Sequence, residues 1–167
     1  MKTLLLLRHA KSSWDDPTLA DHDRPLKKRG VKAALRMGQV IRDFRLNPEL
    51  ILCSTAVRAK ETLKLVLETA RISPAIEYLD ELFHCPVTGF GDALRRVDNR
   101  IHRVMLIGHN PGLEEFLHGL TQQETLMPTA ALARVKLDLS EWQKFESSIH
   151  GQLDHIWRPR ELKDEQD

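Results

Sequence analysis

Apolar residues cluster into short runs along this chain. Leu4-Leu5-Leu6-Leu7, Leu50-Ile51-Leu52-Cys53 and Val104-Met105-Leu106-Ile107 are unbroken, the pattern of strands buried on both faces. Ala75 to Tyr78 reads as a further short strand, and Ala133 to Leu139 and Gln152 to Trp157 alternate roughly as strands do. Between these runs the spacing becomes helical. Val31, Ala34, Leu35, Val40 and Ile41 predict a helix from Lys28 to Phe44, ended by Asn47-Pro48. Val57, Leu63, Val66 and Leu67 predict one from Ala56 to Ala70, with Ser54 or Thr55 as its N-cap. Gly91 to Asn99 and Leu113 to Leu120 read as two more. The polar, Pro-punctuated stretch from Trp14 to Pro25 reads as loop, with Trp14 expected to pack.

Strands alternating with helices predict an α/β fold: a single domain with a mostly parallel, mixed sheet flanked by helices on both faces. No helix is expected between the last two strands, which suit an antiparallel edge. The 167 residues suffice for one domain over residues 1–157, followed by a charged tail over 158–167 that is expected to fray. A net charge of +1 supplies no global field for nucleic acid or an anionic membrane, so any basic site must be local. The leucine run is too short to span a membrane or serve as a signal peptide, so a cytoplasmic location is expected. Cys53 and Cys85 make neither a disulfide framework nor a paired-cysteine metal spacing.

Three polar groups each follow an apolar strand: Arg8-His9, Ser54 to Arg58, and Gly108-His109. In a parallel sheet these strand ends share one edge, where such sheets bind ligands. Two arginines and two histidines converging there suit a phosphoryl group, because guanidinium groups fork onto phosphate oxygens. A neutral imidazole is a competent nucleophile near pH 7, and neighbouring cations keep it neutral. Taken singly, each piece has a plainer reading. Arg8 and His9 could be surface residues, Arg58 could pair with Glu61 one helical turn on, and Glu114 and His118 read as a surface pair. No Walker-type loop and no metal-ligand spacing occur. Cys53 and Arg58 are separated by four residues, one fewer than the cysteine phosphatase loop requires.

Arg8-His9-Ala10, Ser54-Thr55-Ala56-Val57-Arg58-Ala59-Lys60-Glu61-Thr62 and Gly108-His109-Asn110-Pro111 resemble the histidine phosphatase superfamily. Asp23-Arg24-Pro25-Leu26 followed by Arg29-Gly30, together with Met127 to Ala133, are similar to the SixA-type phosphohistidine phosphatases. The resemblance implies a phosphoglycerate mutase-like fold and a phosphatase that needs no metal or other cofactor. It implies His9 as the nucleophile that is phosphorylated, Arg8 and Arg58 as phosphoryl ligands, and His109 as a hydrogen-bond donor to the phosphoryl oxygens. Ser12 and Arg24 are further candidates for binding substrate.

Two positions depart from the family pattern or leave it open. Ala10 replaces the usual glycine after the histidine, which requires a negative φ there. Glu81 sits where a leaving-group acid is expected and reads equally as a solvated loop acid. The interval from Glu81 to His109 holds no large lid, so an open site is expected. This favours a phosphohistidine displayed on a protein, such as a signalling or phosphotransfer domain. The alternatives are a small phosphorylated metabolite or, less favoured with all four core residues present, a non-catalytic phosphate-binding module.

Overall fold

Neighbouring leucines in an extended strand point to opposite faces, and Leu4 to Leu7 are all fully buried, so both faces of the first strand are covered. The computed structural model describes residues 1–163. The elements run β1 (Lys2–Arg8), α1 (Lys28–Asp43), β2 (Leu50–Ser54), α2 (Val57–Ala70), β3 (Ala75–Leu79), α3 (Val87–Arg95), β4 (Arg103–Gly108), α4 (Gly112–Thr121), β5 (Leu132–Leu137) and β6 (Gly151–Trp157). They form one six-stranded sheet in the order β3-β2-β4-β1-β5-β6. The first four strands in that order are mutually parallel. β5 runs antiparallel to β1, and β6 antiparallel to β5. This is the expected α/β architecture with an antiparallel edge.

Leu4 and Leu6 face Phe90, Leu94, Leu113 and Leu117 from α3 and α4. Leu5 and Leu7 face Met37, Ile41, Leu63 and Val66 from α1 and α2. The two layers clamp β1, β2 and β4 so that their carboxyl ends lie side by side, with Arg8 in register with Gly108 and Cys53 with Ile107. Among the described residues no helix is long and apolar enough to cross a membrane.

Some local expectations need correction. The third helix is Val87–Arg95, four residues earlier than the periodicity suggests. Gly89 and Gly91 both sit inside it at close contacts: a Cβ would come within 2.6 Å of Cys85 Sγ at Gly89 and 3.0 Å of the Phe145 ring at Gly91. The helix start is set instead by Pro86, whose fixed φ suits that boundary. Helix α2 is capped by Ala56 without a side-chain hydrogen bond; Ser54 and Thr55 are engaged elsewhere. Arg58 does not pair with Glu61, whose carboxylate accepts the Leu26 N–H at 3.0 Å. In the tail, Pro159–Glu161 form a 3-10 turn, and Arg36 donates to the carbonyls of Leu162 and Lys163 at 2.8 Å each. The rest of that tail, residues 164–167, lies outside the described residues.

Candidate active site

Where β1 ends, the chain is fixed by backbone hydrogen bonds from two sides. His9 N–H donates to Gly108 C=O at 3.1 Å, and Arg8 N–H to Ala131 C=O at 3.1 Å. The Ala130 N–H is shared between the carbonyls of Arg8 and His9 at 3.1 and 3.0 Å. Arg8 Nη1 also donates to Met127 C=O at 3.0 Å. The segment from Met127 to Ala131 is thus a clamp on the Arg8-His9 pair. Ala130 reaches it in a left-handed conformation with φ 63°. Ala10 has no positive φ; its methyl group is fully buried with Leu26, Ala34 and Ala130. Its N–H donates to Thr62 Oγ1 at 2.9 Å. The departure from glycine is therefore accommodated without backbone strain.

Gly30 supports the same loop from below. A Cβ there would lie 2.1 Å from the Lys11 carbonyl oxygen, which itself accepts the Lys27 N–H at 3.0 Å. Gly30→Ala is expected to destabilise the protein by about 3 kcal/mol and to lower activity, because Lys11 is two residues from His9. Chemical denaturation of the variant, with turnover measured below its unfolding transition, checks both effects.

The His9 ring is held in one tautomer. Its Nδ1 lies 2.7 Å from the Ala10 carbonyl oxygen, and a carbonyl can only accept, so Nδ1 carries the proton. The lone pair is left on Nε2. Burial is the main cause that pushes the imidazole down to about 4. The Ala10 hydrogen bond opposes this, and the charges of Arg58, Arg8 and Arg24 reinforce it. His9 is therefore a neutral base at physiological pH.

Arg58, on the first turn of α2, is buried to 5% exposure. Its Nη1 donates to the Asp21 carbonyl at 2.7 Å and its Nη2 to the Asp21 carboxylate at 3.2 Å. Arg24 donates through Nε to the same carboxylate at 2.9 Å, and through Nη1 to Ser12 Oγ at 2.7 Å. Partial burial would raise the Asp21 pKa, but the Arg24 hydrogen bond and the Arg58 charge outweigh it and hold it low. One carboxylate thus orients two guanidinium groups and leaves the three groups with a net positive charge. Trp14, expected to pack, is 70% exposed and lies over the Arg24 guanidinium at 3.6 Å, a cation–π contact at the rim.

His109 closes the far side. Its ring centroid is 5.0 Å from that of His9. Its Nε2 lies 2.8 Å from Ser54 Oγ, which also accepts the Ala56 N–H at 3.2 Å. Burial, then the neighbouring His9 and Arg58, push His109 down to about 3 against the opposing charge of Asp21. Thr55 Oγ1 lies 3.0 Å from His22 Nε2, and Phe83 sets its ring edge-on to both His22 and His109. The hydroxyls expected to cap α2 instead order imidazoles around the site.

Glu81 lies on the 3-10 turn Asp80–Leu82 after β3. It is exposed, and its carboxylate pairs with Arg96 at the end of α3. Glu114 is not half of a surface pair with His118. It accepts from Asn110 Nδ2 at 2.8 Å and from Met127 N–H at 2.7 Å, tying the His109 loop to the clamp. Arg8 Nε, Arg58 Nε and His109 Nδ1 are buried without a hydrogen-bond partner. Among the described residues no group of three or more His, Cys, Asp or Glu is placed to hold a metal ion. The arrangement is a cationic cup around a neutral imidazole, suited to a phosphoryl group.

The family model of the histidine phosphatase superfamily (branch 1) matches residues 4–90. The chain belongs to that superfamily. The match covers Arg8 at the end of β1, His9 just after it, and Arg58 on α2. The chain is 32% identical over 152 residues to an uncharacterised chloroplastic protein of Arabidopsis thaliana, covering 86% of this chain and 70% of that protein. It is 28% identical over 141 residues to the phosphohistidine phosphatase SixA of Escherichia coli, covering 82% and 86% of the two chains. A crystal structure from Agrobacterium tumefaciens, provisionally assigned as phosphohistidine phosphatase SixA, superposes with a TM-score of 0.82 at 27% identity. That superposition covers 95% of this chain and 98% of the other. The fold is the phosphoglycerate mutase-like fold of SixA, and the protein is a hydrolase of the histidine phosphatase type.

Proposed function

We propose that this histidine phosphatase removes phosphate from phosphohistidine on a protein, by way of a phosphorylated His9. The observation that carries the substrate class is the placement of Glu81. Its carboxylate is engaged by Arg96, and the interval from Glu81 to His109 is filled by α3 and β4 with no lid segment. An alcohol ester needs a proton delivered to its departing oxygen. A phosphohistidine whose ring carries its own proton leaves as neutral imidazole without one.

In the proposed reaction the substrate phosphoryl group lies against Arg8, Arg58 and His109. His9 Nε2 attacks phosphorus, the bond to the substrate imidazole breaks, and that ring departs. Phosphorylated His9 keeps its Nδ1 proton, and the Ala10 carbonyl stabilises the positive ring. Water then attacks phosphorus as the His9 bond to phosphorus breaks, and both water protons leave with the product as dihydrogen phosphate, which equilibrates with solvent. His9 leaves as the same neutral Nδ1–H tautomer. Burial beside cations disfavours a charged His109 in the free site, whereas a phosphoryl dianion reverses that balance and favours donation from its N–H.

Turnover of a phosphohistidine protein, compared with phosphoserine and sugar phosphates, tests the substrate class. Faster turnover of the phosphohistidine protein is expected; faster turnover of the esters overturns it. Glu81→Gln is expected to change kcat/KM for the phosphohistidine protein by no more than about twofold, against the 10²-fold or more that loss of a general acid gives. Steady-state kinetics on that substrate check this.

A further inference from the structure

A second charged feature lies beside the phosphoryl cup. A cavity of about 400 Å³ opens between the loop after His9, the start of α1 and the turn after β6. Its walls carry Lys11, Arg29, Arg158 and Arg160, with Thr129 from the clamp segment and Glu161. Glu161, the carboxylate on this wall, is taken by Arg158 at 3.3 Å. Lys11 is two residues from His9, and Thr129 precedes the residue whose N–H holds Arg8 and His9. A second, more open hollow of about 580 Å³ shares Arg29 and adds Lys27 and Lys28, with Asp15 on its wall.

The charges run against the local preference of the helix. Lys27 is the N-cap of α1, and Lys28 and Arg29 begin its first turn, which holds no acidic residue. The positive end of the helix dipole disfavours cations there, so this concentration weakens the fold locally. In a chain of net charge +1 it is a local field. Trp14, 70% exposed, stands on the same loop as a large aromatic able to anchor a partner.

Resting on the phosphohistidine reading, we infer that this basic cavity docks an acidic surface of the phosphorylated protein and aligns its phosphohistidine with His9. A concave site with dispersed cations fits protein carboxylates. It also supplies the affinity that an open catalytic cup lacks.

The test is the double charge reversal Arg29→Glu/Arg160→Glu. Both residues are exposed and stand outside the phosphoryl cup. Two substrates are compared: free phosphohistidine and a phosphohistidine-bearing protein domain of net negative charge. The variant is expected to lose about 10-fold or more in kcat/KM on the domain, most strongly at low salt, and to match the unaltered protein on free phosphohistidine. Equal loss on both substrates, or no loss on the domain, overturns the docking role.

Anisotropy of a labelled decaglutamate peptide tests the surface independently of turnover. Binding that the reversal weakens about 10-fold supports the inference even if phosphohistidine is not the substrate. No binding, or binding unchanged by the reversal, overturns it. Tighter binding of a single-stranded oligonucleotide than of the peptide names a nucleic-acid partner and overturns the acidic protein. If replacing Asp164, Glu165 and Asp167 by their amides tightens peptide binding about 10-fold, the occupant is the chain's own tail, and the inference also fails.

Discussion

Replacing His9 by alanine is expected to lower phosphatase turnover by about 10⁴-fold or more. The reason is specific to this imidazole. Its Nδ1 proton is fixed on the Ala10 carbonyl, which leaves the Nε2 lone pair for the proposed attack on phosphorus. Cys53 cannot substitute: it is fully buried, and burial pushes its thiol up to about 12, with only Lys60 opposing. Cys53→Ala should therefore leave kcat largely intact. Because burial and three arginines hold His9 near 4, activity should persist below pH 6 and fall only as pH approaches the folded-state value. In an unfolded chain both histidines would protonate near the ordinary imidazole value of 6.5. The unfolded state thus binds more protons between those two values. Stability from keeping His9 and His109 neutral is complete above about 6.5 and declines as pH drops below it. A pH–rate profile and unfolding curves at pH 7 and 5 read the two effects separately.

Arg58→Ala is expected to cost about 10³-fold in kcat/KM, with the loss shared between binding and chemistry. The guanidinium group is buried and pinned by Asp21 through two hydrogen bonds. Its orientation is thus set before substrate arrives. Removing it also leaves Asp21 with Arg24 alone and strips a positive charge from beside both histidines. Arg58→Lys should not rescue, because an ammonium group cannot bridge the Asp21 carbonyl and carboxylate and still fork onto a phosphoryl group. Steady-state kinetics of the two variants on one substrate decide this.

The strands were legible because β1, β2 and β4 are buried on both faces, so their sequences are continuous and end abruptly in polar residues. Those abrupt ends brought Arg8, His9, Arg58 and His109 to one edge. Ser12 and Arg24 were legible as candidates, and they lie hydrogen-bonded to each other beside the cup. Asp21 was not legible. It stands among Asp15, Asp16 and Asp23 in a polar loop, and only the folded loop shows which acid reaches Arg58. Ser54 and Thr55 carry a helix-cap signature that tertiary contacts with His109 and His22 override. Glu114 is spaced from His118 as a helical pair, but it accepts from Asn110 on the preceding loop and from the Met127 N–H on the clamp. In each miss a long-range packing or hydrogen-bond demand outweighs a local rule.

The central claim is a covalent intermediate on one atom. Rapid quenching with a fast phosphoryl donor, followed by peptide mapping under basic conditions that preserve phosphohistidine, tests it directly. The account predicts an acid-labile, base-stable phosphate on the peptide containing His9, attached at Nε2. Phosphate on Cys53, Ser54, His109 or any other residue would contradict it.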